Sequence, residues 1–128
     1  MTPDMLKAAC LKLNGAEETF PFNPETSVFK VGEKVFALTA LDGTPLQVSL
    51  KCDPEIALQL RETHPAITGG WHLNKRHWNT VRIDGSVPEA LLHEMIEDSY
   101  DLVVAKLSRK QQLLLDWQGL RGRAEPSP

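Results

Sequence analysis

Between Thr26 and Lys51 two tight-turn signals, Gly32-Glu33 and Asp42-Gly43, separate three stretches that read as strands. Loops this short can join only antiparallel neighbours, so this segment constrains the fold more than any other. Val28-Phe29-Lys30-Val31 leads into Gly32-Glu33, and the chain returns from Lys34 to Leu41. Glycine at the first of two loop positions is what a type II′ turn requires. After Asp42-Gly43 and Thr44-Pro45, Leu46, Val48 and Leu50 face one way while Gln47, Ser49 and Lys51 face the other. Pro45, at the start of its strand, removes no interior ladder bond. The pattern predicts a three-stranded antiparallel meander.

Helical signals flank the meander. Thr2 is placed to N-cap a first helix, with Pro3 at its first position and Asp4 at its positive end. Leu6, Ala9, Cys10 and Leu13 recur at helical spacing, and Asn14-Gly15 supplies a stop. Cys10 lies on that apolar stripe and reads as a core residue. Asp53-Pro54 opens a second helix whose buried stripe is predicted as Ile56, Ala57 and Leu60, closed by Pro65. Gly69-Gly70 is a break, and a strand from about Trp78 to Ile83 ends at Asp84-Gly85. Ser86 and Pro88 precede a long third helix with Leu91, Leu92, Met95, Ile96, Ser99, Val103 and Leu107 inward. Glu89, Glu94, Glu97, Asp98 and Asp101 form its expected outer face. The Ser99 hydroxyl is expected to bond a backbone carbonyl one turn back. Beyond Ser108, Leu113 to Leu115 and Trp117 predict a short amphipathic segment clamped on the body, and Gly119 to Pro128 a loose tail. The order predicts an α+β fold, an antiparallel sheet with helices packed on one face and N-terminal and C-terminal helices flanking the strands. Its boundaries are a domain over 1–107 and a C-terminal extension over 108–128.

A chain of 128 residues makes one such domain. Fourteen Lys and Arg against seventeen Asp and Glu give a net charge of −3, which argues against coating nucleic acid through bulk charge. No apolar run approaches the ~20 residues of a membrane helix, and the first residues lack a secretion-signal pattern. Two cysteines, Cys10 and Cys52, make no disulfide framework, so a reducing cytoplasm is expected.

At Asn74-Lys75-Arg76-His77-Trp78-Asn79-Thr80-Val81 the chain resembles the MmcQ/YjbR family of small bacterial proteins. Further matching elements are Gly15-Ala16-Glu17-Glu18 before Phe20-Pro21-Phe22, and Val28-Phe29-Lys30-Val31 with Lys34-Val35-Phe36-Ala37. Asp98-Ser99-Tyr100-Asp101-Leu102-Val103 completes the set. Together they cover about residues 1 to 107. The resemblance implies a fold similar to bacterial frataxin (CyaY-like) and DNA binding through a double-wing arrangement.

The residues themselves also locate a candidate surface. Between His64 and Ile83 there is no Asp or Glu, whereas Lys75, Arg76 and Arg82 are interleaved with His72, His77, Trp71 and Trp78. Cations supply donors to phosphate oxygens, and indole or imidazole faces can stack on planar groups. The packing alternative is that the tryptophans join the core and the cations cap a solvated turn. Trp78 shares its face with Thr80 and Arg82, so it points outward or lies under the C-terminal segment. Wing-type binding would add Lys30 and Lys34 beside the Gly32-Glu33 turn, where Glu33 opposes it. The segment from Lys106 to Arg123 carries a net +4 that could reinforce binding. About three to five phosphate contacts imply weak, salt-sensitive binding of double-stranded DNA, with a log–log slope near −3 to −5.

The reading is therefore a non-catalytic DNA-binding or regulatory protein. Lys75, Arg76, His77, Trp78, Arg82, Lys30 and Lys34 form its nucleic-acid-binding surface. The alternative is a module that binds a protein or an anionic small ligand on the same sheet surface. No phosphate-cradling loop, dinucleotide fingerprint or nucleophile elbow is present, so no catalytic residue and no cofactor is expected. His72 and His77 lack a metal-pair spacing, and no metal is expected.

Overall fold

The computed structural model describes residues 1–120. Of the expected tail, 121–128 lie outside the described residues. Ten elements follow in order: α1 (Pro3–Leu11), β1 (Glu17–Thr19), β2 (Ser27–Val31), β3 (Lys34–Thr39), β4 (Gln47–Lys51), α2 (Pro54–Thr63), β5 (Ile67–Gly69), β6 (Trp78–Arg82), α3 (Glu89–Val104) and α4 (Arg109–Leu114). The strands form one antiparallel sheet in the order β1-β2-β3-β4-β6-β5. The expected meander is its centre, and the short strands β1 and β5 make its edges.

Thr2 caps α1 by accepting from the Met5 N–H at 3.1 Å, and Asp53 caps α2 by accepting from Glu55 N–H at 3.1 Å. Leu6, Ala9 and Cys10 of α1 join Leu92, Met95, Ile96 and Val103 of α3 over Val48, Leu50 and Val81. That layer is the core, and it lies on one face of the sheet. Burial pushes the Cys10 thiol up to about 12, which keeps it neutral and inert.

The β2–β3 turn is type I′ rather than the expected type II′: Gly32 (φ 54°) and Glu33 (φ 68°) are both left-handed. A type I′ turn matches the strands' right-handed twist, and Glu33 tolerates its conformation to keep that match. Gly32 also lies close to the segment after α3: a Cβ there would sit 2.7 Å from Leu107 Cδ1, whose side-chain end would have to shift.

A bulge in β3 sets the sheet's inner face. Phe29 lies opposite Ala37 but Lys30 lies opposite Val35, so Phe36 is the extra residue. Phe36 and Ala37 consequently both point inward and are fully buried. The bulge breaks the ladder to β4, and α3 repairs it. The Ser99 hydroxyl donates to the Phe36 carbonyl at 2.6 Å and accepts from the Lys51 N–H at 2.8 Å. This corrects the expectation of a bond within the helix: the strand groups would otherwise be buried without partners, a larger cost than any local bond offsets.

Two further expectations are corrected. Only Ala57 of the α2 stripe is buried; Leu60 is half-buried and Ile56 is exposed, because α2 covers just the β5–β6 edge of the sheet. Asp101 is not on an outer acidic face but buried, accepting from the Trp117 indole N–H at 2.9 Å. The segment after α3 folds back and covers it. α4 itself starts with a capping box between Ser108 and Gln111.

Candidate functional site

The Lys75-to-Val81 signature is occupied largely by structural bonds. Asn79 is fully buried on the helix side of β6, and Arg61 of α2 donates to its Oδ1 at 2.6 Å. The same guanidinium bonds the carbonyls of Lys75 and Trp78, the latter at 3.2 Å. His77, half-buried, accepts from the Cys52 N–H at 2.8 Å through its carbonyl. The Lys75 stem lies over Gly69, and its ammonium donates to the Gly70 carbonyl at 3.1 Å. Trp78 is half-buried on the helix-free face and packed on Gly70. A Cβ at Gly70 would sit 2.6 Å from the Trp78 Cβ.

Arg82 shares that face but lies four residues along, about 13 Å at strand rise. Its guanidinium is held by Asp84 at 3.0 Å. Hydrogen bonds from Ser86 and then from Arg82 hold the Asp84 carboxyl down at about 2. Arg76 is exposed, and its backbone N–H bonds Asn74 Oδ1 at 2.9 Å. Lys34 stands at the β2–β3 tip and Lys30 lies opposite Val35 and Glu17, with β3 and β4 between its strand and β6. The seven residues are thus distributed over the sheet end and both of its faces.

What does converge is on the face without helices. Leu38, Ser49 and Thr80 are cross-strand partners on β3, β4 and β6. They alternate with inward-facing Ala37, Leu50 and Val81, so all three point away from the core. Together they floor a groove of about 770 Å³. Phe22, on the β1–β2 connection, forms one wall; Trp71, His72 and Leu73, on the β5–β6 connection, form another. The β3–β4 connection closes an end with Ala40, Thr44 and Pro45. Phe22 is 70% and Trp71 72% exposed, the two most exposed aromatic rings among the described residues.

The Trp71 wall is held in place. Its backbone N–H donates to Thr80 Oγ1 at 3.1 Å, and that hydroxyl bonds Ser49 Oγ at 2.8 Å. The indole lies 4.4 Å from the His72 ring, which its left-handed backbone (φ 58°) directs. Among the described residues, none that lines the groove is Asp, Glu, Lys or Arg. In a chain with 24% charged residues, that absence selects what can bind there.

Leu38, Ser49 and Thr80 carry no motif that marks them in the sequence, although the alternation that places Val48 inward places Ser49 outward. The sequence pattern marks Trp71 but not Phe22 as a ligand-facing ring. Among the described residues, no group of three His, Cys, Asp or Glu side chains is placed to hold a metal ion. No helix among them is long and apolar enough to cross a membrane.

Fold and surface define a small α+β protein with one helix-covered sheet face and one open, grooved face. The sequence model of the YjbR family matches residues 11–102, and the chain belongs to that family. It is 41% identical over 107 residues to the uncharacterised protein YbdF of Escherichia coli O157:H7, covering 83% of this chain and 87% of that one. Identity to the uncharacterised protein YjbR of Escherichia coli K12 is 34% over 115 residues, covering 90% and 98%. A crystal structure of a Deinococcus radiodurans protein with a DUF419 domain superposes with a TM-score of 0.87 at 44% identity, covering 97% and 95% of the two chains. A Pseudomonas syringae protein gives a TM-score of 0.69 at 27% identity, covering 80% and 98%.

Proposed function

We propose that the protein is a non-catalytic binding module of the YjbR family whose working surface is the groove on the helix-free sheet face. The carrying observation is the pair of exposed rings, Phe22 and Trp71, standing over a floor of aligned strand residues. Rings left in water on two separate loops contribute nothing to the core, whereas concave sites with aromatic walls and a few polar groups are what ligands occupy. The same reading takes the fold as frataxin-like, supported by α1 and α3 packed together on one face of an antiparallel sheet. It also keeps a cytoplasmic location, in line with cysteines that are both free.

A fragment screen followed by amide and indole NMR shifts tests the reading. Shifts should centre on Trp71, Thr80 and Ser49, and Lys75→Ala/Arg76→Ala should leave them intact. Shifts that map only elsewhere would overturn it.

Weak DNA binding is the second reading, favoured by one observation. The β2–β3 tip packs on Leu107 and Gln111, which brings Lys34 to the end of the molecule carrying Lys106, Arg109 and Lys110. Phosphate contact there would rest on these cations and Lys30 rather than on Lys75 and Arg82, whose polar ends are engaged. Duplex affinity measured across salt concentrations should then lose about three units of log–log slope in Lys34→Ala/Arg109→Ala/Lys110→Ala. An unchanged slope would remove this reading.

A further inference from the structure

Resting on the groove being the working surface, we propose that its occupant is an uncharged planar heteroaromatic ring of the size of a purine nucleoside. Four features of the groove carry this. The first is charge. Among the described lining residues, a phosphate or carboxylate entering the groove would leave water without meeting a Lys or Arg, and an ammonium would meet no carboxylate. Neutral ligands escape that cost.

The second is the Trp71 wall. The indole is 72% exposed; the Trp71 backbone N–H is fixed to Thr80 Oγ1, which holds the wall's main chain, and the ring itself lies 4.4 Å from the His72 ring. His72 is one of three non-glycine residues with positive φ among those described, and the only one of them that lines the groove. A left-handed histidine beside a tryptophan whose main chain is bonded to the strand is strain held at a surface, and it keeps the imidazole against one side of the indole. An exposed π face favours a flat partner that can lie parallel to it.

The third is the polar set. Ser49 and Thr80 bond each other and Thr80 accepts from the Trp71 backbone N–H, so the pair has one hydroxyl proton left to donate. The Gln47 carboxamide is exposed at the groove with no hydrogen bond to the described residues, so both its donor and its acceptor are available. Asn23 uses its Oδ1 on the N–H groups of Glu25 and Thr26 at 3.0 and 2.7 Å, which turns its amide into a pure donor. A carboxamide with adjacent donor and acceptor matches the edge of a nitrogen heterocycle, where donors and acceptors alternate in the ring plane. The fourth is size. The floor crosses three strands, about 10 Å at interstrand spacing, and the volume falls in the range of small-molecule sites. A bicyclic ring fits across it with its edge toward Gln47.

The test uses the full chain with three probes: adenosine, adenosine 5′-monophosphate and methyl glucoside. Trp71 is exposed while Trp78 and Trp117 are half-buried, so the Trp71 indole resonance reports the groove directly. Adenosine is expected to shift the Trp71, Gln47 and Thr80 signals saturably, and the monophosphate to bind no more tightly at low salt. Trp71→Ala should weaken adenosine at least tenfold with an unchanged amide spectrum elsewhere, and Gln47→Ala at least threefold. Binding of the glucoside or only of the monophosphate at these residues would overturn the ligand class and leave the groove reading standing. If no probe, and no fragment of the screen, moves these signals, both fall.

Discussion

Ser99 shows how much a single hydroxyl can carry. It closes the gap that the Phe36 bulge opens between β3 and β4, serving one donor and one acceptor of the backbone at once. Ser99→Ala leaves both groups buried and without that partner, so we expect a loss of about 2–6 kcal/mol in urea unfolding, from two unmet groups at ~1–3 each. A loss below ~1 kcal/mol would mean that the bulge relaxes and pairs β3 with β4 directly. Burial sets a second residue-scale outcome. Thiol values raised to about 12 at Cys10 and about 11 at Cys52 exceed the ordinary 9 that both take when unfolded. The unfolded chain therefore loses these protons first as pH rises. The thiols leave stability untouched below pH 9 and lower it progressively between pH 9 and 12. Urea midpoints at pH 8 and pH 10.5 check this, and Cys10→Ala should flatten the alkaline decline.

At the scale of elements, the Asp98-to-Val103 segment proves to be a set of ties between α3 and everything around it. Ser99 holds the sheet, the Tyr100 hydroxyl donates to the Asn14 carbonyl at 2.6 Å below α1, and Asp101 receives Trp117 after α4. The α3 stripe was legible from spacing, and so were both helix caps and the β2–β3–β4 meander. Asp101 was not, because a carboxylate on a helix reads as solvated until the indole that meets it sixteen residues later is known. The bulge was equally hidden: Val35, Phe36 and Ala37 are all apolar, so no alternation marks where the period slips. Trp117→Phe keeps the ring and removes the donor to Asp101. It should cost about 1.5–3 kcal/mol, the range for a bond to a charged group. It should also release α4, measured as faster trypsin cleavage after Arg109 and Lys110. Cleavage at the unaltered rate would show that Leu107 and Leu115 hold α4 without the indole.

Taken whole, the molecule divides its aromatic residues between two tasks. Phe29, Phe36 and Tyr100 stack inside, with ring centroids 6.5 and 5.6 Å apart in succession, while Phe22 and Trp71 stand outside over the groove. The cations read from the sequence are spread for a reason of the same kind. Lys75 and Arg82 are near in sequence to Trp78, but Lys75 folds back onto the Gly70 carbonyl while Arg82, four residues beyond Trp78 on the same face, pairs with Asp84. The groove was illegible for the opposite reason, since its walls come from connections about fifty residues apart and only the strand order brings them together. This division has a measurable consequence. In a packed core, removing an aromatic ring costs about 3–5 kcal/mol, and Phe36→Ala should fall in that range. Phe22→Ser/Trp71→Ser removes two rings of comparable size, yet the pair should change unfolding free energy by no more than ~0.5 kcal/mol, because both are mostly solvated already. A loss above ~2 kcal/mol in the double variant would make the rings packing elements of the open face, and the groove between them a by-product of that packing rather than a surface kept for a ligand.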